Sequence, residues 1–243
     1  MRYVYHHLGL GDSILCNGLV RHFAEKLGKV SIFSKRHNYD SLKFMYRDEP
    51  NITVIPVDGS DSKVMEYLST AVPPFKYKPI LNTIKVGFEH LWSNASNPNA
   101  QHYSPSPGFD VRFYEIVGLN FKYRWDKFKI IRDSDREQKL FDHFGLKNKD
   151  YIFVHDDNRF RVDLNKIDIK NVEIIKPIDG LTSNIFDYCS IIENAKEVHT
   201  IESSFQFMID SICLNRENYV HRYPRYLTAG EVPIYQSVKK IIV

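Results

Sequence analysis

The chain has 243 residues, of which 43% are hydrophobic and 14% aromatic, and this composition excludes general disorder and suffices for one large or two small packed domains. The formal net charge of +3 is too small to indicate nucleic-acid binding, which usually needs a clustered basic face. A modest surplus of Lys and Arg does suit a protein whose ligand carries a diphosphate.

The sequence predicts a cytoplasmic protein. It shows no apolar run of signal-peptide length at its start and no stretch that approaches the roughly 20 apolar residues of a membrane helix. The three cysteines, Cys16, Cys189 and Cys213, are far apart, and each lies among apolar residues in a segment with a helical pattern. We therefore expect three buried free thiols in a reducing compartment.

A strand, a glycine loop and a helix open the chain. The β-prone run Tyr3-Val4-Tyr5 is followed by the loop Leu8-Gly9-Leu10-Gly11-Asp12 and then by apolar residues at helical spacing from 16 to 27. Gly28 is a suitable helix stop, and residues 29–33 predict the next strand. This order is typical of a parallel α/β sheet, and it predicts Asp12 as the N-cap of the helix.

The same alternation continues through the first half. We predict a helix at 41–47, a strand at 52–57 and a helix at 61–68. From 72 to 108 periodicity fades and Pro, Asn and Ser accumulate, which indicates long loops around one short helix at 84–92. A helix at 110–117 completes this half.

A second α/β series begins after a boundary near 123–131. Ser134 and Glu137 have the spacing of a capping box, and the apolar strand 151–154 follows. The remaining predicted elements are strands at 172–175, 197–201, near 219 and at 240–243, with helices at 185–194 and 204–214. The prediction is therefore an α/β protein with two Rossmann-like domains, 1–127 and 128–243, whose parallel sheets face a central cleft.

Ligands of open parallel sheets bind where strands end and helices begin, and three such loops carry suitable residues. The first is Gly9 to Ser13, in which Asp12 either caps the helix or contacts a ligand. The loop lacks the third glycine of the dinucleotide fingerprint and the ending of a P-loop, which argues against NAD or ATP.

The second loop follows the strand 151–154. Arg159 and Arg161 can clamp a diphosphate, since guanidinium groups bind charged oxygens bidentately. Two other interpretations stay open: His155 with its neighbouring aspartates as metal ligands, and a solvated loop whose charges pair with each other.

The third loop is Glu202-Ser203-Ser204, at a strand-to-helix junction. Ser203 or Ser204 would cap the helix, and the helix N-terminus suits a phosphate. Glu202 could accept hydrogen bonds from a ribose or sugar hydroxyl. The alternative is an ordinary capped helix.

Two segments resemble a known family. Tyr5 to Ala24, with its Leu-Gly-Leu-Gly-Asp loop and amphipathic helix, resembles the N-terminal signature of the ADP-heptose lipopolysaccharide heptosyltransferases. Val198 to Asn215 resembles their donor-binding turn, which is similar in several fucosyltransferases. The chain is shorter than typical members and has Glu202-Ser203-Ser204 in place of an Asp-Thr-Gly type sequence.

The resemblance implies a GT-B, metal-independent and inverting glycosyltransferase without a cofactor, acting on a nucleotide-sugar donor and a glycan or glycolipid acceptor. It implies that Asp12 is the general base. The remaining site residues divide between the two substrates. On the donor side we expect Arg159, Arg161, Lys176, Glu202, Ser203 and Ser204, and on the acceptor side His6, His7, Gly9 and Gly11.

Three alternatives remain. Asp133-Ser134-Asp135 matches the D-x-D pattern of metal-dependent GT-A enzymes, although a capping box also explains Ser134. A non-catalytic nucleotide- or sugar-binding module would use Asp12 only as a cap. A nicotinamide-dependent oxidoreductase is disfavoured by the glycine pattern.

Overall fold

The computed structural model describes residues 2–59, 63–64, 83–86, 108–167, 172–215, 217–222 and 233–242. The chain divides into two compact units. Unit 1 comprises Met1–Ile130 and Gly230–Ile234, and unit 2 comprises Ile131–Ala229 and Tyr235–Val243.

Unit 1 is built on a four-stranded parallel sheet in the order β3-β2-β1-β4. Its strands are β1 (Arg2–Tyr5), β2 (Val30–Lys35), β3 (Ile52–Val57) and β4 (Thr83–Lys85). Its helices are α1 (Leu10–Leu15), α2 (Asn17–Leu27), α3 (Tyr39–Met45), α4 (Phe109–Glu115) and α5 (Tyr123–Asp126), and a 3₁₀ turn spans Arg36–Asn38.

The pattern of burial explains this architecture. Strand β2 is buried from Val30 to Ser34, as expected for an interior parallel strand covered on both faces. Helix α2 ends at Gly28, whose φ of 75° favours glycine. Gly18 lets α2 approach α5 closely, because a Cβ at this position would collide with the carbonyl oxygen of Tyr123.

Unit 2 is built on a five-stranded parallel sheet in the order β6-β5-β7-β8-β9. Its strands are β5 (Tyr151–His155), β6 (Glu173–Ile175), β7 (Glu197–Ile201), β8 (Asn218–His221) and β9 (Lys240–Ile242). Its helices are α6 (Ser134–His143), α7 (Cys189–Glu193) and α8 (Ser204–Ile212), with 3₁₀ turns at Leu164–Lys166 and Ile185–Tyr188.

A buried ion pair holds the second chain segment of unit 1 in place. Arg124 donates to Asp110 at 2.8 Å, and both side chains are completely buried. Arg124 also donates to the carbonyl oxygen of Ile234 at 2.5 Å, and the backbone N–H of Ile234 donates to Asp110 at 3.0 Å. Both charges are therefore compensated by each other and by the main chain near the carboxyl terminus.

Four local predictions are wrong or fall outside the description. The predicted helix at 84–92 is wrong at its start, because Thr83–Lys85 pairs with β1 as a strand, and residues 87–92 lie outside the described residues. Of the helix predicted at 61–68, residues 63–64 are described, and they are helical.

The capping box at Ser134 is wrong: Asp133 is the N-cap of α6 and accepts from the backbone N–H of Arg136 at 3.1 Å. Cys213 is exposed at the left-handed C-cap of α8, whereas Cys16 and Cys189 are buried as expected.

Within the described ranges, no helix has the length and apolar character needed to cross a membrane.

Candidate functional site

Asp12 lies at the carboxyl edge of the unit 1 sheet, on the helix that follows β1. It is in the first turn of α1, whose N-cap is Gly9, and it is partly exposed. The prediction that Asp12 is the N-cap is therefore wrong, because the helix begins earlier, at Leu10. A carboxylate in the first turn is stabilised by the helix dipole.

The Asp12 side chain lies directly against Gly9. The backbone of Gly9 has φ −63° and ψ 141°, which any residue can adopt. A Cβ at Gly9 would, however, collide with Oδ2 of Asp12. The hydroxyl of Ser13, a residue of α1, donates to the carbonyl oxygen of Gly9 at 2.9 Å, and this bond stabilises the loop. The Asp12 carboxylate thus rests over the glycine loop.

The other residues predicted for the acceptor side lie in the segment that joins β1 to α1 or in the first turn of α1. His6 is buried, and its Nδ1 donates to the carbonyl oxygen of His7 at 2.8 Å. His7 is partly exposed, and its ring lies 6.1 Å from that of Phe113. Gly11 is the second residue of α1. Unit 1 therefore brings His6, His7, Gly9, Gly11 and Asp12 together.

The residues predicted for the donor side all belong to unit 2. Strands β6, β5 and β7 are adjacent and parallel, so their carboxyl ends lie at one edge of the sheet. Lys176 follows β6, the segment from His155 to Arg161 begins at the end of β5, and Glu202 to Ser204 follows β7. The three loops are neighbours in space.

A bond between His155 and Ser203 joins two of these loops. Oγ of Ser203 lies 3.0 Å from Nδ1 of His155, and the imidazole packs against the Phe205 ring at 4.4 Å between centroids. Burial lowers the pKa of His155 to about 4, so the imidazole is neutral at pH 7. The sequence did not reveal this pairing, because the two residues are 48 positions apart.

The aspartates after β5 are engaged in local structure. Both carboxylate oxygens of Asp156 accept from Nζ of Lys176, at 3.0 and 2.9 Å. Oδ1 of Asp157 accepts from the backbone N–H groups of Arg159 and Phe160 at 2.8 and 2.7 Å, which forms the turn that presents both arginines. Among the described residues, no group of three or more His, Cys, Asp or Glu side chains is arranged to hold a metal ion.

The positive groups at this edge differ in their surroundings. Arg159 and Arg161 are exposed, whereas Lys176 is partly exposed and neutralised by Asp156. The two arginine residues are therefore more accessible to a charged ligand than Lys176 is.

The turn after β7 does not use its serines as side-chain caps. Ser203 is the N-cap of α8, as predicted, but its side chain makes no capping bond. Its hydroxyl contacts His155 instead. Glu202, Ser203 and Ser204 are all partly exposed, although Oε1 of Glu202 is buried.

The D-x-D segment has a structural role in unit 2. Asp133 caps α6 through its side chain, and Asp135 is exposed in the first turn of the same helix. Helix capping thus explains the first aspartate of this pattern.

The fold is GT-B-like, with two Rossmann-like units that each contain a parallel sheet. It is similar to the structure of E. coli ADP-heptose lipopolysaccharide heptosyltransferase II, with a TM-score of 0.58 and 12% identity over 99% of this chain and 90% of that one. It is also similar to a glycosyl transferase family 9 structure from Veillonella parvula DSM 2008, with a TM-score of 0.54 and 11% identity over 99% of this chain and 84% of that one. A scan of protein-family models and a search of curated protein sequences found no match.

Proposed function

We propose that this chain is a glycosyltransferase that moves a sugar from a nucleotide-sugar donor to a hydroxyl group of a glycan or glycolipid acceptor. The observation that carries the proposal is the GT-B-like fold, which matches two structures named as transferases of this kind over 99% of the chain. The carboxylate of Asp12, held over the glycine loop of unit 1, supplies a group suited to the chemistry.

On the acceptor side, Asp12 acts as the general base. Its carboxylate takes the proton of the acceptor hydroxyl as the oxygen forms a bond to the anomeric carbon of the donor sugar. The bond between that carbon and the diphosphate oxygen breaks, and the nucleoside diphosphate leaves with the electron pair. Direct displacement of this kind inverts the configuration at the anomeric carbon.

On the donor side, the carboxyl edge of unit 2 binds the diphosphate. Arg159 and Arg161 are exposed guanidinium groups on a turn fixed by Asp157, and they can bind phosphate oxygens bidentately. Ser203 and Ser204 add hydroxyl groups, and Glu202 can accept from a sugar hydroxyl. The two guanidinium groups stabilise the departing diphosphate, so the reaction needs no metal ion.

The test is transfer or hydrolysis of a nucleotide-sugar by the wild type and by Asp12→Asn. We expect the rate to fall by at least about 100-fold, the usual contribution of a general base, with donor affinity unchanged. The matched control is Asp40→Asn, which removes an exposed aspartate from the first turn of α3 in the same unit and should keep full activity. Undiminished turnover in Asp12→Asn would refute the assigned role.

A further inference from the structure

Three consecutive basic side chains stand at the carboxyl end of β2 in unit 1, and the proposed reaction makes no use of them. Lys35 ends the strand and is partly buried, whereas Arg36 and His37 are exposed in the 3₁₀ turn that follows. Together with Val57, Asp58 and Gly59 at the end of β3, they line an open cavity of about 520 Å³. This volume is within the range of small-ligand sites.

The guanidinium group of Arg36 currently binds a carboxylate. It donates to Oδ1 and Oδ2 of Asp58 at 2.6 and 2.9 Å, which is the bidentate geometry that arginine also offers to phosphate. The two side chains are 66% and 74% exposed. Exposed ion pairs contribute little to stability, so Arg36 can exchange Asp58 for a ligand oxyanion at small cost.

The basic turn is hydrogen-bonded to the loop that leads to Asp12. Nδ2 of Asn38, a buried residue at the end of the turn, donates to the carbonyl oxygen of Leu8 at 3.3 Å. Strands β1 and β2 are parallel neighbours, so the turn and the glycine loop leave the same edge of the sheet. A ligand in the cavity therefore lies on the side of unit 1 that carries the proposed general base.

We propose that Lys35, Arg36 and His37 form a binding site for an oxyanion, either a phosphate or a carboxylate group of a ligand. The proposal rests on the cavity, the ion pair with Asp58 and the three basic side chains.

The direct test is an NMR titration of the isotope-labelled full chain with inorganic phosphate. We expect saturable shifts of the backbone amides of residues 35–37 and 58–59. Lys35→Gln/Arg36→Gln should weaken phosphate binding at least about tenfold, because two charged donors are removed. Lys29→Gln, which removes an exposed lysine before the amino end of β2, is the control and should bind as the wild type does.

Asp58→Asn gives a result in the opposite direction. Removing the carboxylate that competes for Arg36 should tighten phosphate binding several-fold, an effect that a purely structural role of Asp58 would not produce. Glucose 6-phosphate and glucuronate then distinguish a phosphate-bearing from a carboxylate-bearing ligand, with glucose as the uncharged control. The proposal is overturned if phosphate shifts other residues or binds equally well to all variants.

These measurements do not depend on transfer. If phosphate binds as expected but Asp12→Asn transfers sugar normally, the oxyanion site stands and the role assigned to Asp12 falls. If Asp12 proves essential but the amides of 35–37 do not respond to phosphate, only the oxyanion site falls.

Discussion

At the residue scale, the contact between Gly9 and Asp12 links the glycine loop to the proposed chemistry. Because the backbone of Gly9 tolerates any residue, Gly9→Ala should change the free energy of unfolding by less than about 1 kcal/mol. The added methyl group should instead displace the Asp12 carboxylate and lower transfer at least about tenfold. Urea unfolding and steady-state kinetics measure the two effects. An active Gly9→Ala variant would mean that the position of the carboxylate is unimportant.

His155 makes stability depend on pH. Its pKa is about 4 in the folded protein against 6.5 for the free side chain, chiefly because burial disfavours the imidazolium. The unfolded chain therefore binds more protons, and stability falls as the pH falls from 6.5 towards 4, by about 1–3 kcal/mol. Urea unfolding at pH 7.5 and pH 4.5 should show a smaller loss in His155→Gln than in the wild type.

The exposed residue His37 supplies the control for this measurement. His37→Gln should lose as much stability as the wild type over the same pH range, because this variant keeps the buried His155. Identical losses in all three proteins would contradict a buried neutral His155.

Contacts between side chains that are distant along the chain could not be predicted from the sequence. Asp12, Arg159 and Ser203 could be proposed from strand-end positions, but nothing local indicates that the Ser203 hydroxyl contacts His155 rather than the helix. The pairing of Lys176 with Asp156 likewise depends on the adjacency of β5 and β6, which residue spacing does not specify.

At the scale of elements, two substitutions at the start of α6 show which residue caps this helix. Asp133→Ala should reduce the free energy of unfolding by about 1 kcal/mol, because the N–H of Arg136 loses its acceptor. Ser134→Ala, at the first helical position, should have a much smaller effect. Chemical denaturation of both variants decides between them, and a larger loss in Ser134→Ala would restore the capping box.

Elements with a strong local pattern were predictable. Strands β3 and β7 have the predicted bounds, because both segments are rich in β-branched residues. Strand β4 was missed, since three residues carry no periodicity and the strand exists through pairing with β1, some eighty positions earlier. The start of α1 was also missed, because Gly9 at the N-cap and Gly11 inside the helix lower local helix propensity.

At the scale of the whole molecule, each unit presents a different chemistry at the carboxyl edge of its sheet. Unit 1 carries Asp12 on its glycine loop, and unit 2 carries Arg159, Arg161 and the serines beside His155. Two sheets were predictable from the alternation of strands and helices. The return of the chain to unit 1 at Ile234 was not, because it depends on the buried pair of Asp110 and Arg124.

Calorimetric titration with UDP-, GDP-, ADP- and CMP-sugars tests the central claim most directly. We expect at least one of them to bind, and Arg159→Gln/Arg161→Gln to weaken that binding at least about tenfold. Lys139→Gln/Lys147→Gln, which removes two exposed lysines that precede β5, should leave the affinity unchanged. Failure of all four classes of nucleotide-sugar to bind, or equal affinity in the arginine variant, would contradict a nucleotide-sugar site in unit 2.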